Sequence, residues 1–264
     1  MYYFLKKVMT SLTLGRKSLI YFSLPLIFGS ILEPLAGLVD TAFVGQLKTD
    51  WLAALAQGTM ILSAFAWVFN FLIHVSTESI SRSVATNDIN QKFAHTQIAL
   101  IVSLVFGIIG ALLMWGGTPV WFYLMGVNQD LGSFVESYFN IRLIGHPLLI
   151  LYGTMISILR GFGRVKVCLV ILFLTVVINS LLTGYLLFTV KWGIEGAAWG
   201  TNVSSLCGVL FCFFFILQEV PWKSFFSEVH FTAQQLSFHG DTARPMGPSA
   251  HGPTGPWDHG PIGP

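Results

Sequence analysis

The chain has 264 residues, 54% of them hydrophobic and only 10% charged, with a mean hydropathy of +0.71. A soluble domain carries about 25% charged residues, so the composition excludes an ordinary soluble protein and indicates an integral membrane one. The net charge of +2 comes from basic residues spread over loops and gives no sign of a nucleic-acid partner.

Residues 1–17 hold Lys6, Lys7, Arg16 and Lys17 and read as a short cytosolic segment. The apolar run that follows is too long for a cleavable signal, and more spans come after it. The first span is expected over Leu19–Val44. Within it, Ser23–Gln46 is apolar except for Glu33 and Asp40. A carboxylate at the centre of a bilayer costs about 2.5–3.5 kcal/mol on insertion scales. The two acids are seven positions apart, which places them on one helix face, about 10 Å apart along the axis. That face must look at partner helices or a wet cavity, where such acids exchange ions. The structural alternative is that Asp40 caps the outer end of the span and Glu33 pairs with a neighbouring helix. Pro25 and Pro34 each remove a backbone hydrogen bond and bend the helix. Membrane helices tolerate such bends beside cavities or neighbouring helices.

A polar turn, Gln46–Asp50, leads to a second span at about Trp51–Val75. The third is expected at Thr96–Trp115, the fourth at Tyr138–Leu159, the fifth at Val167–Val190 and the sixth at Gly196–Leu217. Arg82, Lys92, Arg160, Arg164 and Lys166 fall on one side together with the N-terminus, while Lys48 and Lys191 fall on the other. The positive-inside rule then puts both termini in the cytosol, in the cell (inner) membrane. Trp51, Trp115, Trp121 and Trp192 lie near the outer ends, as an aromatic belt does. Cys168, Cys207 and Cys212 fall inside spans and are expected as free thiols.

The sixth span carries small residues at Gly196, Gly200, Ser204 and Gly208. This stripe favours close helix packing, with a flexible gating seam as the alternative. Residues 219–264 turn polar, and 12 of the last 25 residues are Gly or Pro. That composition builds no core and is expected to be disordered.

Other polar residues have open readings. Arg142, inside the fourth span, either snorkels to the outer interface or contacts an anionic group. His74, Glu78 and Arg82 read as interface groups, and Asn70 and Tyr185 as candidates to line a cavity. GFGRVK lacks the Gly-Lys-Ser/Thr of a P-loop. No spaced Cys/His metal set and no nucleophile–base pair is evident, so no enzyme is expected.

Four motifs in register resemble one known family. They are PLAGLVDTAFVGQL with LAALAQG after it, YFNIRLIGHP at Tyr138–Pro147, LRGFG at Leu159–Gly163 and GIEGAAWGT at Gly193–Thr201. Together they are similar to the first lobe of the multidrug and toxic compound extrusion (MATE) family, most of all its DinF-like branch, over residues 20–218. The resemblance implies an all-α, six-helix lobe at 18–218 enclosing a polar cavity, with Asp40 as the cation-coupling carboxylate. It also implies a second polar pair on the fifth helix, an Asn and an Asp four residues on. Here Asn179 is followed by Thr183, so the second acid is absent. A proton at Asp40, shared with Glu33, therefore fits better than sodium held by an acidic pair.

The expected activity is export of organic cations or other amphiphiles in exchange for protons or sodium, with no cofactor beyond the coupling ion. The expected partners are the lipid bilayer, the small-molecule substrate and a second lobe or second copy. The rivals are a lipid-linked sugar flippase of the same superfamily, which would need a more basic cavity, and a non-transporting half that associates with a partner.

Overall fold

The computed structural model describes residues 24, 27–32, 34–127 and 130–220. The expectations for residues 1–17, for Pro25 and Glu33, and for the tail beyond 220 lie outside the described residues. The described residues form helices α1 (Ile27–Gly45), α2 (Thr49–Val68), α3 (Phe71–Ala85) and α4 (Ile89–Gly116). The short α5 (Thr118–Leu124), then α6 (Gly132–Gly161), α7 (Val165–Gly184) and α8 (Ile194–Glu219) follow, with a π-helical turn at Tyr185–Thr189 extending α7. Six helical runs are long and apolar enough to cross a membrane, with α2 and α3 counting as one run and the π turn joining α7. The all-α, multi-pass architecture expected from composition is the one found.

The boundaries differ in one informative place. The second span does not stop near residue 75. It continues through α3 to Ala85, a run of 37 residues. A helix of that length measures about 55 Å against a hydrocarbon core of about 30 Å, so it must project beyond the apolar layer. The exposed end carries Arg82 Nη2 and Glu78 Oε1 2.6 Å apart, one turn apart on the helix, as interface groups would be. Asp88 then starts α4, its side chain accepting a hydrogen bond from the Gln91 N–H at 3.0 Å.

The bundle is built around α6, which packs against α2, α3, α4, α7 and α8. Its core holds Phe139, Met155, Ile158 and Leu159, all essentially inaccessible. Large apolar side chains such as Leu38, Leu181, Leu210 and Phe214 point outward instead, as they do where the surrounding solvent is lipid. Several buried hydroxyls are satisfied by their own helices: Thr154 donates to Ile150 O and Ser83 to Ser79 O.

The small-residue stripe of α8 packs inside the lobe. A Cβ at Gly200 would lie 2.4 Å from Thr183 Oγ1, one at Gly208 2.6 Å from Tyr152 Cε2, and one at Gly196 3.0 Å from Leu186 Cβ. Helix α8 therefore approaches the backbone of α7 at Thr183 and lies against the Tyr152 ring of α6, the packing reading of the stripe. Helix α4 crosses α6 the same way: a Cβ at Gly107 would sit 2.7 Å from the Cα of Pro147. Of the six spans, α1 is the least buried.

Candidate polar site and cavity

Asp40 stands in the last part of α1, where the chain is apolar on both sides of it, and it is 9% exposed. Its Oδ2 accepts a hydrogen bond from Thr201 Oγ1 of α8 at 3.4 Å. Thr201 in turn accepts from Asn179 Nδ2 of α7 at 3.3 Å. Asn179 and Thr183 are four positions apart and share one face of α7, and both adjoin the Asp40 carboxylate. The sequence pair of Asn179 and Thr183 is thus brought to Asp40, with Thr201 as a fourth member. Thr201 was recognised only as the end of a motif; no spacing rule links a residue of the sixth span to one in the first.

The oxygens of this group are under-used. Asp40 Oδ1, Asn179 Oδ1 and Thr183 Oγ1 are all buried and meet no partner in full hydrogen-bonding geometry, although the Thr183 hydroxyl and the Asn179 amide stand close enough to the carboxylate to interact with it. Unsatisfied buried acceptors are rare in folded proteins and often mark a site for a cation, a proton or a water. Among the described residues no group of three or more His, Cys, Asp or Glu could hold a metal, so the chemistry here is that of one carboxylate and neutral oxygens.

Behind Asn179 and Thr201 opens a cavity of about 490 Å³. Ser204 and Ser205 of α8, Asn70 at the break between α2 and α3, and Trp67 and Phe69 beside it line its wall. Its size falls in the range of small-molecule sites, roughly 300–1,000 Å³. Asn70 is where a cavity residue was expected. Tyr185 is elsewhere: it is 57% exposed at the start of the π turn and does not line the cavity. Six positions beyond Asn179 it has turned about 120° around the helix. Thr183 lies at Asp40 and does not reach the cavity wall. Pro34 is exposed on α1.

Arg142 also lines the cavity. It is 9% exposed, so it does not snorkel. Its Nη1 donates to Asn202 Oδ1 at 2.7 Å, and Asn202 Nδ2 donates to Ile141 O at 2.6 Å. Asn202, which no sequence pattern singled out as a site residue, is a buried strut between α6 and α8. One turn beyond Arg142, His146 is buried with Nδ1 3.1 Å from Gly107 O.

The architecture is shared with known proteins. The MatE family model matches residues 25–185. The chain belongs to the MatE family. It is 25% identical over 201 residues to Multidrug export protein MepA of Staphylococcus haemolyticus, covering 75% of this chain and 44% of that protein. It is 28% identical over 196 residues to Protein DETOXIFICATION 47, chloroplastic, of Arabidopsis thaliana, covering 72% and 35%. A crystal structure of MATE in the bent conformation superposes with a TM-score of 0.70 at 23% identity, over 77% of this chain and 46% of that one. The chain thus spans less than half the length of these MatE relatives, and the match is to one lobe.

Proposed function

We propose that this MatE chain acts as one lobe of a secondary transporter, exporting an amphiphilic small molecule from the cavity in exchange for a proton bound at Asp40. The observation that carries this reading is the trio of unpartnered oxygens, Asp40 Oδ1, Asn179 Oδ1 and Thr183 Oγ1, buried just behind a small-molecule-sized cavity. An ionised Asp40 uses the Thr201 hydroxyl as its donor. Once protonated, the carboxyl group becomes a donor itself, and Asn179 Oδ1 is an adjoining acceptor with no other partner. The contact between α1 and the pair α7 and α8 then has two arrangements, and α1, the least buried span, is the helix free to respond. Because Thr201 and Asn179 belong to both the carboxylate cluster and the cavity wall, a change at Asp40 reaches the substrate.

Sodium is the second reading. The three unpartnered oxygens with Thr201 Oγ1 offer a four-oxygen set carrying one negative charge, which suits a hard monovalent cation. Alternating access needs two bodies that rock against each other, and a second six-helix lobe or another copy of this chain would supply the second. Loop charge favours cytosolic termini in the cell membrane.

The test is proton-driven dye efflux from vesicles containing the chain. Asp40→Asn, which keeps the shape of the protonated acid, should abolish efflux, and replacing the proton gradient by a sodium gradient separates the two ions. Normal efflux by Asp40→Asn would reduce the carboxylate to a structural group.

A further inference from the structure

We propose that the cavity binds its amphiphile through an anionic headgroup, a carboxylate or a group of like shape, held by Arg142. The inference rests on the reading of this cavity as the substrate site.

Four observations carry it. Among the described residues that line the cavity, Arg142 alone is charged. It is more than nine-tenths buried, yet among the described residues no carboxylate lies within ion-pair distance of it. Asp40 feels its charge from a distance but is bonded to Thr201. The guanidinium also has unused capacity: Nη1 is bonded to Asn202 and Nε is buried away from the cavity, which leaves Nη2 as the uncommitted donor nitrogen. A planar fork of N–H donors matches a carboxylate in a way a lysine ammonium does not.

The arginine is held in place by design of its surroundings. Asn202 Oδ1 fits against α6 only because residue 145 is glycine: a Cβ there would lie 2.0 Å from that oxygen. Gly145, Asn202 and the Ile141 carbonyl together fix Nη1, so the head of Arg142 stays at the cavity wall and cannot fold away to the interface. The apolar body of the ligand has Trp67, Phe69 and Ile150 to lie against. An organic cation would meet Arg142, the one charged side chain among the described residues of the wall, while Asp40 stands off the wall behind Thr201.

The rival account is a purely structural arginine that ties α6 to α8. It predicts a loss of stability on substitution but no preference for ligand charge, and the two are separable. The full chain is placed in lipid nanodiscs and titrated with two fluorescent probes of matched length, dansylaminoundecanoate and the corresponding dansylaminoundecyl trimethylammonium, each corrected for empty discs. The carboxylate probe should bind about tenfold more tightly or better. Arg142→Gln should equalise the two, and Arg142→Lys should keep the preference with weaker binding. Equal or tighter binding of the ammonium probe by the unaltered chain, binding of neither probe, or a preference that survives Arg142→Gln overturns the proposal. Should Arg142→Gln not fold, displacement of the bound probe from the unaltered chain by decanoate against decyltrimethylammonium decides it, with Arg142→Lys as the second variant. Ion exchange fails separately: a chain that prefers the carboxylate probe but shows Asp40-independent efflux keeps this inference and loses the exchange mechanism.

Discussion

The hydroxyl of Thr201 lies 3.4 Å from Asp40 Oδ2 and 3.0 Å from the carbonyl of Ala197, one turn back on its own helix. It has one proton, so it can donate to only one of them at a time. Asp40 therefore has a donor in α8 that can donate to its own helix carbonyl instead whenever the carboxylate no longer needs it.

Thr201→Val removes this donor while preserving volume. The variant should lose about 1 kcal/mol of stability, in line with a hydrogen bond to a buried acceptor, and its affinity for the ion proposed to bind at Asp40 should fall. Thr201→Ser should recover most of both. Thermal unfolding followed by circular dichroism, with sodium and pH varied, reads the effect; a valine variant indistinguishable from the parent would show that the contact carries nothing.

The close crossings are the second prediction. Gly200→Leu and Gly107→Ala each insert atoms where backbone already stands, at Thr183 and Pro147 respectively. Overpacking of this kind costs about 1–3 kcal/mol or more, and the leucine should be the worse of the two. Both should lower the unfolding midpoint of the purified chain. Gly116→Ala and Gly132→Ala, where nothing lies within 4 Å of the added Cβ, serve as controls and should leave it unchanged.

Charge on the projecting end of α3 should matter little. Arg82 and Glu78 are 66% and 60% exposed, and an exposed pair one helical turn apart contributes only about 0.3–0.5 kcal/mol. Glu78→Gln should shift the unfolding midpoint by less than the resolution of most assays. A large shift would mean that this end is buried in the working assembly.

Topology is testable with single cysteines in a background where Cys168, Cys207 and Cys212 are replaced. Positions 88 and 164 flank α4 and α7 at the side assigned to the cytosol, and position 48 precedes α2 at the other. Membrane-impermeant maleimide added to intact cells should label position 48 and spare 88 and 164. The reverse pattern would invert the orientation drawn from loop charge.

Much of this protein was legible in its sequence because membrane folding obeys a coarse rule. Every backbone polar group must be satisfied within its own segment, so a run of apolar residues of sufficient length is a helix whatever its neighbours. Six spans, the stripe at Gly196, Gly200, Ser204 and Gly208, and the free cysteines all follow from composition along one helix. Asn179 and Thr183 were legible as a pair because a helix repeat places residues four apart on one face.

What one helix says about itself does not tell which other helix it meets. Nothing in the residue types distinguishes Asn70, which lines the cavity, from Tyr185, which does not; the difference lies in where the α2–α3 break and the π turn place them. The continuation of the second span to Ala85 was hidden because residues past 75 are polar, and polarity ends an apolar run without ending a helix. The sequence by itself determined the number and type of the spans and the presence of an acid in the first. Only the tertiary structure decided that Asp40 meets Thr201, 161 positions away, and that Arg142 turns into the cavity and not toward the interface. Those contacts depend on Gly200, which lets α8 approach the backbone of α7, and on Gly145, which leaves room for the Asn202 side chain against α6, and such packing is a property of pairs of helices.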